Sequence, residues 1–578
     1  MKKYLFIALA ALGLVACADN GEDNIPAQNG ELEESYIAIN LMSADSGTRA
    51  ATDSYGYEDG TALERLVKSA YFFFFDADGK PFNVTGAPAT APGGEKNHLS
   101  LTIGETTGKV DPNVSDVKNA VLVLKTYKGV YPSKIVAVLN WTPTENTYTL
   151  AALHDVVANS LGNDTAGYVM SNSVYMDKNG NVVDAVPLTA ANIKTTADAA
   201  EAAPIEIYVE RTAAKVVLTA SKKIANTDNI FSTQKPTTPI LSTGVSSQID
   251  VYVKLLGWEL YNDYNTSSLL KNIDTEWDDD ALGLTWNDIP YRRCYWATSQ
   301  GGDYNDSFAW SYADPTAKGF KTEYGFGVAA TNDEYKTRST YTYCGENTNQ
   351  KGTDKDLRTK VILKGQLMKE DTEAEDGYSP LELARWYGTE YAGNEALRIA
   401  VANSLKYTLF YKDGENYVSI KPEHIECVAG VAGAKAYEVG FQLSSTGAEK
   451  TWYQYSSEKG YVIFGDTGVT GDNVAKANAH LATVEPALLY TNGQTYYIVD
   501  IRHLGNDSSK PAYYGVVRNH VYQIDIESIK GYGSPVYSGT SNIVTPPEYP
   551  VEDESSYVAA RINVLSWKVV QQGVNITQ

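Results

Sequence analysis

Six histidines, His98, His154, His424, His480, His503 and His520, are the side chains best suited to move protons near neutral pH or to hold a transition metal. No two of them share an HExxH or comparable zinc-ligand spacing. There is no GxSxG elbow, no Walker A loop and no GxGxxG following a strand, so nucleophilic and phosphate-cradling chemistry have no framework here. Carboxylates are abundant, and a glycosidase needs two of them flanking a bond, but abundance alone singles out no pair. WDDDALGLTW, from Trp277, carries three successive acids, and DADGK (Asp76–Lys80) resembles the start of a calcium loop. Neither continues through an oxygen-ligand series to a closing Glu, so both read as solvated turns. GDTGVTGDN (Gly465–Asn473) reads as a surface loop. The residues therefore predict no catalytic group, no metal site and no cofactor.

What remains is the scaffold such chemistry would have needed. The chain has 578 residues, enough for two or three domains, and 43% of them are hydrophobic. A net charge of −23 argues against nucleic acid and anionic lipid as partners. With 42 Tyr and only 5 Met, the composition fits β-rich structure better than a helical bundle.

Lys2 and Lys3 precede the apolar run LFIALAALGLV, which reads as a secretory signal too short to span a bilayer comfortably. It ends in Leu14-Val15-Ala16-Cys17, a small residue before Cys, the pattern of a bacterial lipobox in which Cys17 is lipidated. Asp19, Glu22 and Asp23 follow as an acidic export tag would. Three cysteines remain, Cys294, Cys344 and Cys427, so at most one disulfide forms in the body.

Most of the chain is short alternating or β-branched runs punctuated by Gly, Asn, Asp and Pro. AYFFFFDADGKPFNV predicts two strands around a turn at Asp76–Lys80. NAVLVLKTY, KIVAVLNW, IEIYVERTAAKVVLTA, DVYVKLLGWELYN, TKVILKGQL, QTYYIVDIRHL and YQIDIESI continue the pattern, which predicts sandwich architecture. Three helices are expected: LAALHDVVANSLGN ending near Gly162, SPLELARWYG capped by Ser379, and NEALRIAVANSLKY capped by Asn394. The polar, Pro/Thr-rich stretch at 221–240 marks a boundary, dividing the body into 50–220 and 221–578.

The two ends of the chain answer each other. Ile37, Ile39 and Leu41 alternate with Tyr36, Ala38 and Asn40, and the segment then dissolves into small polar residues around Arg49, the first basic residue after Lys3. The last stretch, YVAARINVLSWKVVQQGVNITQ, carries no charge after Lys568 and sets Val570, Gln572, Val574 and Ile576 on one face. Two segments with the same two-residue period suggest interchange: proteolysis after Arg49 frees the first strand, and the tail of another copy fills the vacated groove.

The sequence resembles the Bacteroidetes-type fimbrillins, subunits of type V pili, and is most similar to the shaft subunit of short, minor-type fimbriae. The likeness is carried by the lipobox at Cys17, the pre-strand and Arg49, YVERTAAKVVL (Tyr208–Leu218), RRCYWATS (Arg292–Ser299) and YYGVVRNHVYQIDIESIKGYGSP (Tyr513–Pro535). The resemblance implies a mainly β fold of two transthyretin-like β-sandwich domains with a few short helices. It implies a signal peptide over 1–17, a propeptide with a removable first strand over 18–49, an N-terminal domain over 50–220, and a C-terminal domain over 221–578 ending in a donor strand at about 561–578. The precursor is then lipid-anchored at the outer membrane, cut between Arg49 and Ala50 by an arginine-specific protease, and polymerised by donor-strand exchange, with Val570, Val574 and Ile576 entering the next subunit. The implied partners are other copies of itself, accessory fimbrial subunits, that protease, and a host or bacterial receptor; the implied place is a surface fimbria that serves adhesion, colonisation and biofilm. Removing residues 1–49 takes away three basic and seven acidic side chains, so the mature 529 residues (578 − 49) would carry −23 + 4 = −19. The alternatives are an accessory tip or anchor subunit, and a glycan-binding surface lipoprotein whose platform comes from WYQYSS (Trp452–Ser457) and ARWYG (Ala384–Gly388).

Overall fold

The computed structural model describes residues 32–43, 63–220, 230–273, 298–299, 310–311, 341–348, 358–503, 514–537, 542–543 and 557–566, short segments within these spans excepted. The protein is mainly β. The strands that matter below are, in chain order, β1 (Leu32–Ser43), β2 (Ala70–Phe75), β3 (Val117–Tyr127), β4 (Lys134–Leu139), β5 (Met170–Asn172), β6 (Ile205–Arg211), β7 (Ala213–Ala220), β8 (Tyr252–Tyr261), β9 (Tyr341–Gly345), β10 (Lys360–Glu370), β11 (Gln494–Asp500), β12 (His520–Lys530) and β13 (Tyr557–Ser566).

The first sheet has nine strands and runs His98–Leu101, β2, β4, β5, β6, β1, β3, Gly104–Glu105, with Val186–Pro187 joined to β4. Its inner face gathers Ile37 and Ile39 of β1, Phe72 and Phe74 of β2, Leu122 and Leu124 of β3, Ile135 and Ala137 of β4, and Ile207 and Val209 of β6. Phe73, Phe75, Val136 and Val138 point the other way, onto Leu150, Leu153, Leu269 and Leu270. That is why AYFFFF is apolar without alternation: both of its faces are covered. The turn after it forms as expected, with Gly79 at φ +78° and the Asp76 carboxylate accepting from the backbone N–H groups of Asp78 (2.9 Å) and Lys80 (2.8 Å).

A second sheet, in the order β9, β7, β12, β13, packs against a six-stranded sheet built on β8, β10 and β11. Val216 and Leu218 of β7 and Tyr522, Ile524 and Ile526 of β12 meet Val253, Trp258 and Leu260 of β8 and Val361 and Leu363 of β10 in one core. This is a sandwich in the sense that two inner faces interdigitate. Strand β7 (213–220), which the sequence division at 220 assigns to the first unit, belongs to this second sheet, pairing parallel with β12 and antiparallel with β9. A third core lies inside the span 221–578: Leu397, Val401, Phe441, Trp452, Leu481 and Leu489 pack together in the segment between β10 and β11.

The helices differ from the sequence expectation. LAALHDVVANSLGN is helical only over Leu150–His154, capped by Thr149; Val157–Ala158 then pairs with Ser267–Ser268 instead. SPLELARWYG is not a helix. Leu383–Trp386 pairs with Thr389–Tyr391 on one side and Leu488–Tyr490 on the other, and Tyr387 (φ +47°) and Gly388 (φ +74°) make the two-residue reversal. The Ser-Pro pair that looked like a helix start sits in a short strand beside β10. NEALRIAVANSLKY is helical as Gly393–Ser404, but its first turn is capped from elsewhere: Glu382 Oε1 accepts from the Asn394 N–H at 2.8 Å. A Cβ at Gly388 would meet nothing within 4 Å, so only its backbone conformation is at stake. Gly388→Ala is expected to cost about 1–2 kcal/mol, read as a shift in the urea midpoint with an unchanged slope.

Candidate functional site

β1 is an interior strand made of residues that precede Arg49 in the sequence. It pairs antiparallel with β3 from Leu32↔Tyr127 to Met42↔Val117, and parallel with β6 from Ile39↔Ile205 to Ser43↔Val209. Ile37 and Ile39 are 0% exposed in the inner core. Leu41 lies opposite Lys118 and Ile207. The start of the strand is fixed by Glu33, whose carboxylate accepts from the Gly129 N–H (3.2 Å) and the Tyr131 hydroxyl (3.0 Å), and by a two-way backbone pair between Tyr36 and Lys194. That bond to Glu33 raises the Tyr131 phenol above its ordinary range. The Glu34–Lys125 ion pair, 3.2 Å, lies in solvent and contributes little. Two buried isoleucines alone contribute about 1.5–3 kcal/mol each. Cys17, Arg49, Ala50 and the tail residues Val570, Val574 and Ile576 lie outside the described residues.

The other end of the chain lies along β12. β13 pairs antiparallel with it from His520↔Ser566 to Lys530↔Tyr557, as the last strand of its sheet. Of the expected donor stretch at about 561–578, residues 561–566 are thus engaged within the chain.

Between these two ends, the motifs YVERTAAKVVL and GVVRNHVY meet at one joint. β6 ends at Arg211, Thr212 intervenes, and β7 starts at Ala213, so one strand leaves the first sheet and enters the second. Asn519, at φ +56°, closes the corner. Its N–H donates to the Ala213 carbonyl (2.8 Å), and its side-chain oxygen accepts from the Arg211 N–H (3.2 Å) and Nη1 (3.4 Å). Three ion pairs bury here. Lys215–Glu64 (2.9 Å) and Lys271–Glu210 (3.0 Å) have side chains 0% exposed, and Arg518–Glu346 is 3.1 Å with 0% and 3% exposed. The Arg518 guanidinium also donates to Ser267 Oγ (3.1 Å) and the Leu269 carbonyl (3.4 Å). Burial raises Glu210 against the opposing pull of Lys271 and Arg518, and burial with the Glu64 charge beside it raises the Tyr343 phenol, which donates to Glu64. Of the arginines in the two motifs, Arg211 holds the turn and Arg518 the carboxylate. Glu64, Lys271 and Glu346 were missed. Lys215 offered a signal, a charge between Ala213 and Val217 on one face of an apolar run.

The histidines are not all isolated. His503 and His520, 3% and 1% exposed, have ring centroids 5.1 Å apart, and His503 Nδ1 lies 2.9 Å from the Tyr522 hydroxyl, which accepts from the Val517 N–H at 2.7 Å. Burial, then the nearby His520 and Lys271, lowers His503 well below the usual imidazole range. The sign follows: the unfolded chain binds this proton more readily, so the group contributes stability above the ordinary histidine pKa and loses it as pH falls below. The unfolding free energy from urea titration is expected to drop between pH 7.5 and 5.5, by up to about 1.4 kcal/mol per pH unit for this one proton, and His503→Gln is expected to flatten that slope.

Trp452 and Trp386 are 0% and 7% exposed and belong to the third core, so neither tryptophan forms a sugar platform; the exposed aromatics of those stretches are Tyr387 (70%) and Tyr455 (61%). Cys344 and Cys427 are free and buried, and burial pushes the Cys427 thiol up to about 12. Among the described residues no cluster of three or more His, Cys, Asp or Glu is placed to hold a metal, and no helix is long and apolar enough to cross a membrane.

Residues 488–573 match the family described as "Major fimbrial subunit protein type IV, Fimbrillin, C-terminal", a span that includes β11, β12, β13 and the GVVRNHVY corner. No curated protein matches the chain. Among solved structures, the chain is similar to a fimbrilin from Porphyromonas gingivalis W83, at 12% identity and a TM-score of 0.36, covering 93% of this chain and 99% of that one. It is also similar to a fimbrial assembly protein from Parabacteroides distasonis ATCC 8503, at 12% identity and a TM-score of 0.29, covering 58% of this chain and 83% of that one.

Proposed function

We propose that this chain, whose residues 488–573 match the C-terminal region of the fimbrillins, is a fimbrial subunit with a structural role in which β1 is a removable plug and the C-terminal tail its replacement. The observation that carries this reading is the seating of β1. A strand from the segment before Arg49 occupies an interior position, hydrogen-bonded on both sides, with Ile37 and Ile39 in the core. A chain cut after Arg49 holds that strand by non-covalent contacts alone, and its loss leaves a groove lined by β3 and β6. The incoming strand is Val570–Ile576 of another copy, whose alternation matches that of β1. Aliphatic burial of about 1.5–3 kcal/mol per side chain and main-chain bonds of about 0.5–1.5 kcal/mol each oppose an ordering cost of about 1–2 kcal/mol per residue. Copies that each carry a large negative charge repel, so the strand and not electrostatic steering makes the joint.

In this reading the precursor is a lipoprotein anchored through Cys17 at the outer membrane, an arginine-specific protease acts at Arg49–Ala50, and the product is the shaft of a surface fimbria joined by accessory subunits and serving adhesion. The test is arginine-specific proteolysis of the purified precursor, with the new N-terminus read by mass spectrometry. A start at Ala50 followed by SDS-resistant ladders, lost on deletion of residues 569–578, is the expected result. Cleavage without ladders would overturn the shaft role and leave a terminal subunit; resistance at Arg49 would overturn the plug.

A further inference from the structure

The stretch between Ser43 and Leu63 is 19 residues (63 − 43 − 1) and contains Arg49. Its two flanks are fixed at the same end of β6. Ser43 stands opposite Val209, and two residues further along β6 the Arg211 Nε donates to the Glu64 carbonyl at 3.0 Å. Glu64 then turns its carboxylate into the second sheet, where it pairs with Lys215 of β7 at 2.9 Å and accepts from the Tyr343 hydroxyl of β9. Lys215 in turn lies 4.2 Å from the centre of the Tyr341 ring. Glu64 is 0% exposed, while its neighbour Leu63 is 48% exposed, so the chain enters the protein at this residue. Downstream, Asn140 holds the approach to β2: its Nδ2 donates to the Leu66 carbonyl at 2.7 Å and its Oδ1 accepts from the Lys68 N–H at 2.8 Å.

We infer that Glu64 is a positioning residue for strand removal: it locks the start of the mature chain into the joint between the two sheets, so that a cut upstream frees β1 and nothing else. This deepens the reading of β1 as a plug and rests on it. Before the cut, the β1 ladder restrains the chain up to Ser43 and holds Leu63 nearby through a covalent leash. After the cut that leash is gone, and the Glu64 clamp with Asn140 is what keeps the approach to β2 ordered. β2 is a lining strand of the same core that loses Ile37 and Ile39. An unclamped start would let β2 fray from β4 and take Phe72 and Phe74 out of a core already missing Ile37 and Ile39, and the incoming strand would meet a disordered receiver.

The experiment is hydrogen exchange at residues 66–75 in two forms of the chain, the precursor and the chain beginning at Ala50, each as wild type and as Glu64→Ala. The expected result is an exchange rate in wild type that differs less than threefold between the two forms. In Glu64→Ala it rises at least tenfold in the chain beginning at Ala50 and less than threefold in the precursor. An equal rise in both forms would make Glu64 an ordinary stabilising residue and overturn the inference, as would no rise in either. Glu64→Asp, which keeps the charge and shortens the reach by one carbon, is read in the same way if the Ala variant does not fold. Failure of the plug reading has a separate signature, since wild-type precursor would then resist arginine-specific cleavage at Arg49 whatever residues 66–75 do.

Discussion

Replacing Ile37 and Ile39 together by Asp is expected to unseat β1 and to make proteolysis at Arg49 unnecessary for assembly. Both side chains are 0% exposed on the inner face of the first sheet, against Leu122, Leu124, Ile205 and Ile207. Losing their transfer free energy removes about 1.5–3 kcal/mol apiece, and a carboxylate at either place has no cation in that apolar core to pair with, which adds a desolvation cost of several kcal/mol. The ladder to β3 and β6, at about 0.5–1.5 kcal/mol net per bond, is already opposed by an ordering cost of about 1–2 kcal/mol per residue, and so does not offset this loss. The strand therefore leaves and the rest of the fold stays, because the sandwich built on β7, β8, β10 and β12 has a separate core. The thermal midpoint of the double variant should fall to that of the chain beginning at Ala50, and SDS-resistant ladders should form from intact precursor. Ile37→Val with Ile39→Val is the control, at about 0.5–1.5 kcal/mol each with β1 retained. A doubly acidic variant with an unchanged midpoint would mean that β1 does not close the groove.

Much of this was legible in the sequence for a simple reason. A strand writes its inner face into every second residue, and Ile37, Ile39 and Leu41 do so by residue type, although the structure also buries Ala38 between the isoleucines, at 5% exposure, where the sequence read a half-buried strand. The run Ala70–Phe75 likewise announced a strand, and the structure adds that both of its faces are covered. The hairpin at Tyr387–Gly388 was misread because Pro380 after Ser379 is a common helix start, and Leu381, Ala384 and Arg385 fall at helical spacing by chance. What decides that segment is pairing with Thr389–Tyr391 and Leu488–Tyr490, and the second of these partners is about a hundred residues away along the chain, beyond any local window. The joint was half visible. Its arginines sat in conspicuous motifs, whereas Glu64, Lys271 and Glu346 are single charges whose meaning comes only from partners 61 to 279 positions away. The same non-locality hid the fact that β7 continues β6 into another sheet: an unbroken strand pattern does not say where its neighbours change.

The joint itself should be the most fragile point of the fold to substitution of one partner and among the most tolerant to substitution of two. Arg518 is fully buried and spends its donors on the Glu346 carboxylate, Ser267 and Leu269, while its own N–H also reaches Glu346 at 3.3 Å. Arg518→Met leaves Glu346 charged, or forces it to take up a proton, in a site 4% exposed, and the cost of such a stranded partner is about 3–5 kcal/mol. Arg518→Met with Glu346→Leu removes both charges, and since two buried ions must be dehydrated to make the pair, the double variant is expected to recover most of that loss. The neighbouring Lys271–Glu210 pair bounds the recovery. Glu210 feels both Arg518 and Glu346, so removing them together takes away one attraction and one repulsion and leaves its pairing with Lys271 nearly as it was. Chemical denaturation of the single and double variants gives the coupling directly. A further consequence separates a joint from a mere core. Because β6 and β7 are one continuous strand held by Asn519 and flanked by these pairs, the first and second sheets should unfold in a single transition in the wild type. In Arg518→Met the transition should split in two, with the tyrosine-rich second sheet melting first. A single transition in both, shifted but not split, would mean that the covalent strand alone couples the sheets and that the buried charges serve only their own neighbourhood.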